Sequence, residues 1–159
     1  MQIVVRPMQG EAEAHLCTNA MVNSEPWLTL RYTYEMTARV VTDPSREAYV
    51  AVVGPEIAGF IVVNLVGPLR GYIQTICVLP SWRGKGVGTR LLTFAEERIF
   101  REHPNVFLFV SSFNDKAQRF YIGLGYQRVG EVPDYLIRGH SELLMRKTLG
   151  PIREFLPRA

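Results

Sequence analysis

Three glycines at alternate positions, Gly84, Gly86 and Gly88, mark the passage from the apolar segment ending at Val78-Leu79 into an amphipathic stretch that begins at Val87. Glycine lets a backbone approach a ligand closely, and the first N–H groups of a helix have no partner within it. The positive end of the helix dipole points the same way, so a strand, glycine turn and helix in this order suit a bound anion such as a diphosphate. Arg83 and Lys85 add positive charge. Two familiar phosphate loops do not fit the spelling. A GxGxxG fingerprint from Gly84 needs glycine where Thr89 stands, and a Walker loop needs Ser or Thr after Gly84-Lys85, where Gly86 stands. A glycine turn that merely links strand to helix is the plainer alternative.

A second polar signal is Asn114, placed where a helix running through Ala117, Phe120, Tyr121 and Leu124 would begin; asparagine also favours that position simply as a cap. Cys17 and Cys77 are sixty positions apart, which excludes a CxxC pair, a four-cysteine zinc site and a disulfide framework. Flanked by Ile76 and Val78, Cys77 reads as a buried strand thiol.

Arg83-Gly84-Lys85-Gly86-Val87-Gly88 resembles the Arg/Gln-x-x-Gly-x-Gly/Ala signature of the GCN5-related N-acetyltransferases (GNAT). The run from Asn114 through Ala117, Phe120 and Tyr121 to Gly125-Tyr126 is similar to the second signature of that family, and the two occur in the expected order. The resemblance implies an acetyl-CoA or other acyl-CoA site and no metal. Arg83 and the N–H groups of Gly84, Lys85, Gly86, Val87, Gly88 and Thr89 would hold the pyrophosphate. The backbone of Ile76, Cys77 and Val78 would pair with the pantetheine arm, with Asn114 on its other side. It further implies direct attack of a primary amine on the thioester in a ternary complex, with no need of Cys77 as nucleophile. The Val78 N–H would face the oxyanion, and Tyr121 would give a proton to the departing thiolate. A phenol of reference pKa about 10 is a weak donor to a thiolate of about 8.5, so Tyr121 must act through hydrogen bonding or a shifted pKa.

The base is not spelled out. Family relatives carry an acid on the strand at 72–79 or the next, but Gln74 and Thr75 stand there, and 106–112 holds none. His140 has a suitable reference pKa; Glu35 and Glu25 follow it. By resemblance, the acceptor pocket draws on Glu25, Trp27, Tyr32, Tyr34 and Glu35 early in the chain and on Tyr135, Arg138 and His140 late. Among these, Trp27, Glu35 and His140 are the substrate candidates, for a small-molecule or peptide amine. The alternative function is a non-catalytic acyl-CoA-binding sensor or interaction domain.

These groups must be positioned by a regular fold. Alternation, apolar stripes and turn residues predict β-α-α-β-β-β-α-β-α-β-β. The helices are expected from about Glu11, from Leu28 to Val41, from Val87 to about Arg101, and from Asn114. A strand-helix-strand passage amid hairpins requires a mixed, mostly antiparallel sheet in a single α/β (α+β) domain over 1–150, with helices on both faces and a tail over 151–159. Homodimers are common in the family, and the tail residues Ile152, Phe155 and Leu156 suit a subunit contact. Met1 to Gly10 lacks a signal-peptide core and no apolar run spans a bilayer, so a cytoplasmic protein without membrane contact is expected.

The 18 Lys and Arg against 15 Asp and Glu leave a formal surplus of +3, without a run of like charge that would announce a nucleic-acid partner. Setting aside Arg83, Lys85 and Arg90 balances the two signs, so the whole surplus can be assigned to the glycine loop.

Overall fold

A computed structural model describes residues 1–157. Its elements are β1 (Val4–Pro7), α1 (Gly10–Val22), α2 (Tyr34–Val41), β2 (Glu47–Val53), β3 (Glu56–Asn64), β4 (Tyr72–Val78), α3 (Val87–Ile99), β5 (Asn105–Ser111), α4 (Asp115–Gly123), β6 (Gln127–Pro133) and β7 (Ser141–Thr148). The order is the one expected. The strands form an open, mostly antiparallel sheet in the order β1-β2-β3-β4-β5-β7-β6.

The helix expected over 28–41 is shorter. Residues up to Arg31 form turns, and Arg31 itself adopts φ 58°, which interrupts a right-handed helix. Thr33 then caps α2, its side chain accepting from the Met36 N–H at 3.2 Å. The apolar residues Leu28 and Leu30 had extended the stripe backward through a segment that packs without being helical.

Two compact units are distinguished, Met1–Asn64 with Ile73–Arg98, and Leu65–Tyr72 with the chain from Ile99 onward. In the first, β3 is buried almost throughout because its alternate residues serve two faces. Phe60 and Val62 join Cys17, Met21, Val41, Val50 and Cys77 in one cluster beside α1 and α2. On the other face, a Cβ at Gly59 would meet Leu91 and Val87 of α3 at 3.1 and 3.2 Å, and the Cys77 carbonyl of β4 at 2.8 Å. Glycine is therefore required there by close approach. Each fully buried Leu or Phe in such a face contributes about 1.5–3 kcal/mol relative to exposure.

In the second unit, β7 pairs antiparallel with both β5 and β6. Gly71 lies at φ 80°, and a Cβ on it would fall 2.2 Å from the Asn105 carbonyl oxygen. Its own carbonyl accepts from the Phe107 N–H. α4 ends at a turn in which the Tyr126 N–H donates to the Tyr121 carbonyl and Gly125 takes φ 95°. Within the tail, Ile152–Glu154 forms a short 3-10 turn and Ile152 and Leu156 are exposed. The last two residues of the expected tail, 158 and 159, lie outside the described residues.

Candidate active site

The glycine loop is built from main-chain conformation. Gly84 and Gly86 adopt φ 71° and 83°, with no atom within 4 Å of where a Cβ would stand. Both glycines are needed for conformation and not for space. Lys85 between them is not at positive φ, an alternation compatible with the kind of turn that can direct successive N–H groups toward one concavity. The Gly86 carbonyl accepts from the Arg90 N–H, so α3 begins immediately, and its first turn carries no acid to oppose an anion. Val87 is buried and anchors the helix end, whereas residues 83–86 and Thr89 are exposed.

The two loop cations brace the turn. Arg83 Nε donates to the Val78 carbonyl and its Nη2 to Ser24 Oγ, each at 3.2 Å. Lys85 Nζ donates to the Ser81 carbonyl at 2.9 Å and lies 5.0 Å above the Trp82 ring. Ser24, buried between these partners, was not a sequence candidate; a serine in an irregular segment gives no signal.

Val78 closes β4, and pairing toward β3 continues one residue further, the Leu79 N–H donating to the Ala58 carbonyl. Ile76 and Val78 are half-buried while Cys77 between them is 3% exposed. Burial pushes the Cys77 thiol up to about 11, with Arg83 and Ser24 pulling it back only in part. A protonated thiol enclosed in the core is a poor nucleophile. Cys17, in the same cluster, is pushed up to about 12 by burial.

In the second unit, Asn114 is the N-cap of α4, its Oδ1 accepting from the Ala117 N–H at 3.2 Å. Two turns on from Asn114, Tyr121 is buried against Tyr126 (centroids 5.7 Å, edge-on) and Phe120. Burial first, and Tyr72 second, hold its phenol well above the ordinary tyrosine range. The group stays protonated at all physiological pH and can act only as a donor or hydrogen-bonding partner.

Of the early acceptor candidates, Trp27 packs against the Cys17 and Phe60 cluster. Glu35 is exposed in the first turn of α2, where it complements the helix dipole. Glu25 is exposed and accepts from Thr29. Tyr34 donates or accepts with His15 Nδ1 at 2.6 Å. The structure thus gives Trp27 a packing role and leaves Glu35 open to solvent. Of the late candidates, His140 is placed by the β6–β7 connection. Asp134 closes that loop, its N–H donating to the His140 carbonyl and its carboxylate accepting from the Gly139 N–H. The His140 ring stands edge-on to Phe113 at 4.8 Å. Tyr135 stacks on Phe109 at 5.3 Å, and Phe109 meets Tyr72 edge-on.

One acid absent from the sequence candidates lies next to His140. Glu142 is 5% exposed, and burial raises its carboxyl above the ordinary range, opposed by Ser111 and His140. A charged residue as second member of a strand reads in sequence as a strand end facing water. Only the pairing of β7 between two other strands reveals that this position is covered.

A seven-stranded open sheet, a glycine turn at the start of α3 and an asparagine-capped α4 carrying a buried tyrosine define an acyltransferase class. The chain belongs to the acetyltransferase (GNAT) family, whose profile matches residues 12–126. It is 30% identical over 145 residues to the N-alpha-acetyltransferase RimI of Mycobacterium tuberculosis, covering 89% of this chain and 85% of that one. In structure it is similar to the ribosomal-protein-S18-alanine N-acetyltransferase of Escherichia coli, with TM-score 0.78, 14% identity and coverage of 98% and 99%. It is also similar to an aminoglycoside 6'-N-acetyltransferase complexed with coenzyme A, with TM-score 0.76, 21% identity and coverage of 95% and 98%.

Proposed function

We propose that the protein is an N-acetyltransferase that moves an acetyl group from acetyl-CoA to a primary amine of a small molecule or peptide by direct attack in a ternary complex. The observation that carries this reading is the turn at Gly84 and Gly86 opening onto the acid-free first turn of α3. It fits a diphosphate better than a plain linking turn, which has no use for two positive-φ positions flanking an exposed lysine. Acetyl-CoA supplies the acyl group as a thioester.

The N–H groups of residues 84–89 bind the pyrophosphate, and the β4 backbone at Ile76, Cys77 and Val78 pairs with the pantetheine amides. Asn114 contributes its side-chain N–H₂, since its Oδ1 is taken by the cap. The Val78 N–H donates to the developing oxyanion, a role suited to a fixed backbone dipole. Tyr121, kept protonated by burial, donates toward the departing sulfur. Cys77 stays a thiol. The N-terminal acetyltransferase relative supports a peptide acceptor, and the aminoglycoside enzyme supports a small one. The two free, buried cysteines suit a cytoplasmic protein, and the exposed Ile152 and Leu156 suit a homodimer contact.

The test is a screen of amines and peptide N-termini that follows release of free CoA. Turnover of at least one amine, with product mass increased by one acetyl group, is expected. Tight acetyl-CoA binding without turnover of any acceptor would overturn catalysis in favour of a sensor, and absence of acetyl-CoA binding would overturn the site itself.

A further inference from the structure

Glu142 is used by none of the roles assigned so far. It stands in register with Ser111 of β5 on one side and Val132 of β6 on the other. Residues directly opposite in an antiparallel pair point to the same face with Cβ atoms about 4.5–5.5 Å apart, so the carboxylate and the Ser111 hydroxyl are side by side. Ser111 is 2% exposed, and its Oγ has no hydrogen-bond partner among the described residues. No lysine or arginine pairs with Glu142 among the described residues either. A buried hydroxyl without a partner beside a buried carboxylate without a pairing cation is costly, and a ligand bearing several N–H donors would engage both groups together.

The neighbourhood is held in place. The Ser112 N–H donates to the Ser141 carbonyl, and the Ser141 N–H donates to Ser112 Oγ, which pins the ends of β5 and β7 on either side of the pair. Two residues back along β5, on the same face, Phe109 stacks with the exposed Tyr135 and forms an aromatic wall. The groups that face Glu142 are Ser111 from β5, the uncharged Val132 from β6 and His140 from the connection before its own strand; only His140 can carry charge. The next charged residue on that face of β7, Arg146, is engaged by Asn105 and Thr148.

We propose that Glu142 is the general base of this enzyme, with Ser111 as its partner in holding the acceptor's ammonium group. This rests on the acetyltransferase reading and supplies the base that strand 72–79 lacks. An ammonium has three N–H donors; one goes to Glu142, one to Ser111 Oγ. Glu142 takes one proton, becoming a neutral carboxylic acid and leaving an amine with a free lone pair. The nitrogen–carbon bond to the acyl group forms as the carbon–sulfur bond breaks, the second amine proton ends on the sulfur, and Glu142 returns its proton to water. A carboxyl raised by burial is better matched to this task near neutrality than an ordinary one. The preferred acceptor is a protonated primary amine whose adjoining group is apolar enough to lie along Phe109 and Tyr135.

The experiment compares wild type, Glu142→Gln and Glu142→Asp. Acetyl-CoA binding by calorimetry should be the same in all three, which also controls for folding. With an amine found in the screen, kcat/KM of Glu142→Gln should fall about a hundredfold near neutrality and lose the acidic limb seen in wild type, recovering only as pH approaches the amine's own pKa. Glu142→Asp should retain the limb at reduced rate. In the free protein, the carboxyl carbon resonance absent from Glu142→Gln should titrate above the ordinary glutamate range and respond to added alkylammonium. Wild-type turnover with an unaltered profile in Glu142→Gln, or an ordinary titration unaffected by alkylammonium, would overturn this assignment alone. Acetyl-CoA binding without wild-type turnover would overturn the enzyme and its base together.

Discussion

The loop leading into α3 and the strand ends around Ser111 and Glu142 use different parts of the residue. In the loop, the proposed chemistry belongs to main-chain N–H groups beside two positive-φ glycines, exposed to solvent, with Arg83 and Lys85 bracing the turn. Around Ser111, Glu142 and Tyr121, the proposed chemistry belongs to side-chain oxygens withdrawn from water, and burial shifts both ionisable groups toward their neutral forms. A backbone site tolerates exposure because its dipoles are fixed by conformation. Burial favours the neutral form of an acid, which raises the Glu142 carboxyl toward neutrality and keeps the Tyr121 phenol protonated. The first kind is spelled by local residue order; the second depends on what the sheet stacks around it.

This contrast can be broken at several points. The largest effect should come where glycine is required by contact. Gly71→Ala places a Cβ 2.2 Å from the Asn105 carbonyl at positive φ and should cost about 3 kcal/mol or more in denaturant unfolding. At Gly86 the space is open but the backbone is left-handed, so Gly86→Val should cost about 1–2 kcal/mol of stability, less than Gly71→Ala, and weaken acetyl-CoA binding at least tenfold by calorimetry. Gly86→Asn should do less harm, because asparagine tolerates the left-handed region. Equal losses in the two variants would mean that loop conformation is not what binds.

On the side-chain half, Tyr121→Phe should lower kcat at least tenfold with the fold intact by circular dichroism. Unchanged turnover at saturating substrates would leave Tyr121 only its packing role. Glu142 carries a stability signature with a definite sign. Its folded carboxyl binds a proton more tightly than the unfolded one, so the native state loses stability as pH rises from the ordinary carboxylate range through the raised value. Glu142→Gln should therefore melt above wild type near neutrality, the gap closing in acid below the ordinary carboxylate range. A variant less stable at neutral pH would mark Glu142 as structural. The smallest effect is expected at Lys85→Met. An exposed ammonium contributes little beyond the backbone, so acetyl-CoA affinity should fall only about two- to threefold, less at high salt.

Most of the element order was legible because apolar periodicity and glycine or proline stops are local. Gly54-Pro55 between β2 and β3, Pro80 after β4 and Gly125 after α4 all end elements where expected. The failure at 28–33 has the same origin. Leu28 and Leu30 satisfy a helical stripe, and nothing in their neighbours announces that Arg31 turns to positive φ and that the helix waits for Thr33. Of the candidate site, the glycine loop and Asn114 were readable for the same local reason. Cys77 was correctly taken as a buried thiol from its apolar flanks. Trp27 and Glu35, placed in the acceptor pocket by resemblance, stand in the structure against the Cys17 and Phe60 cluster and open to solvent in the first turn of α2.

The sequence by itself determined the family, the glycine turn before α3 and the helix that carries Tyr121, because each depends on residues within a few positions of one another. Tertiary structure alone decided which acid is buried. Glu142 gains its environment from Ser111, thirty-one positions earlier in the chain, and from Val132 on the opposite strand. Burial is a property of strand register and not of neighbouring letters. A carboxylate's proton affinity is therefore invisible until the sheet is assembled.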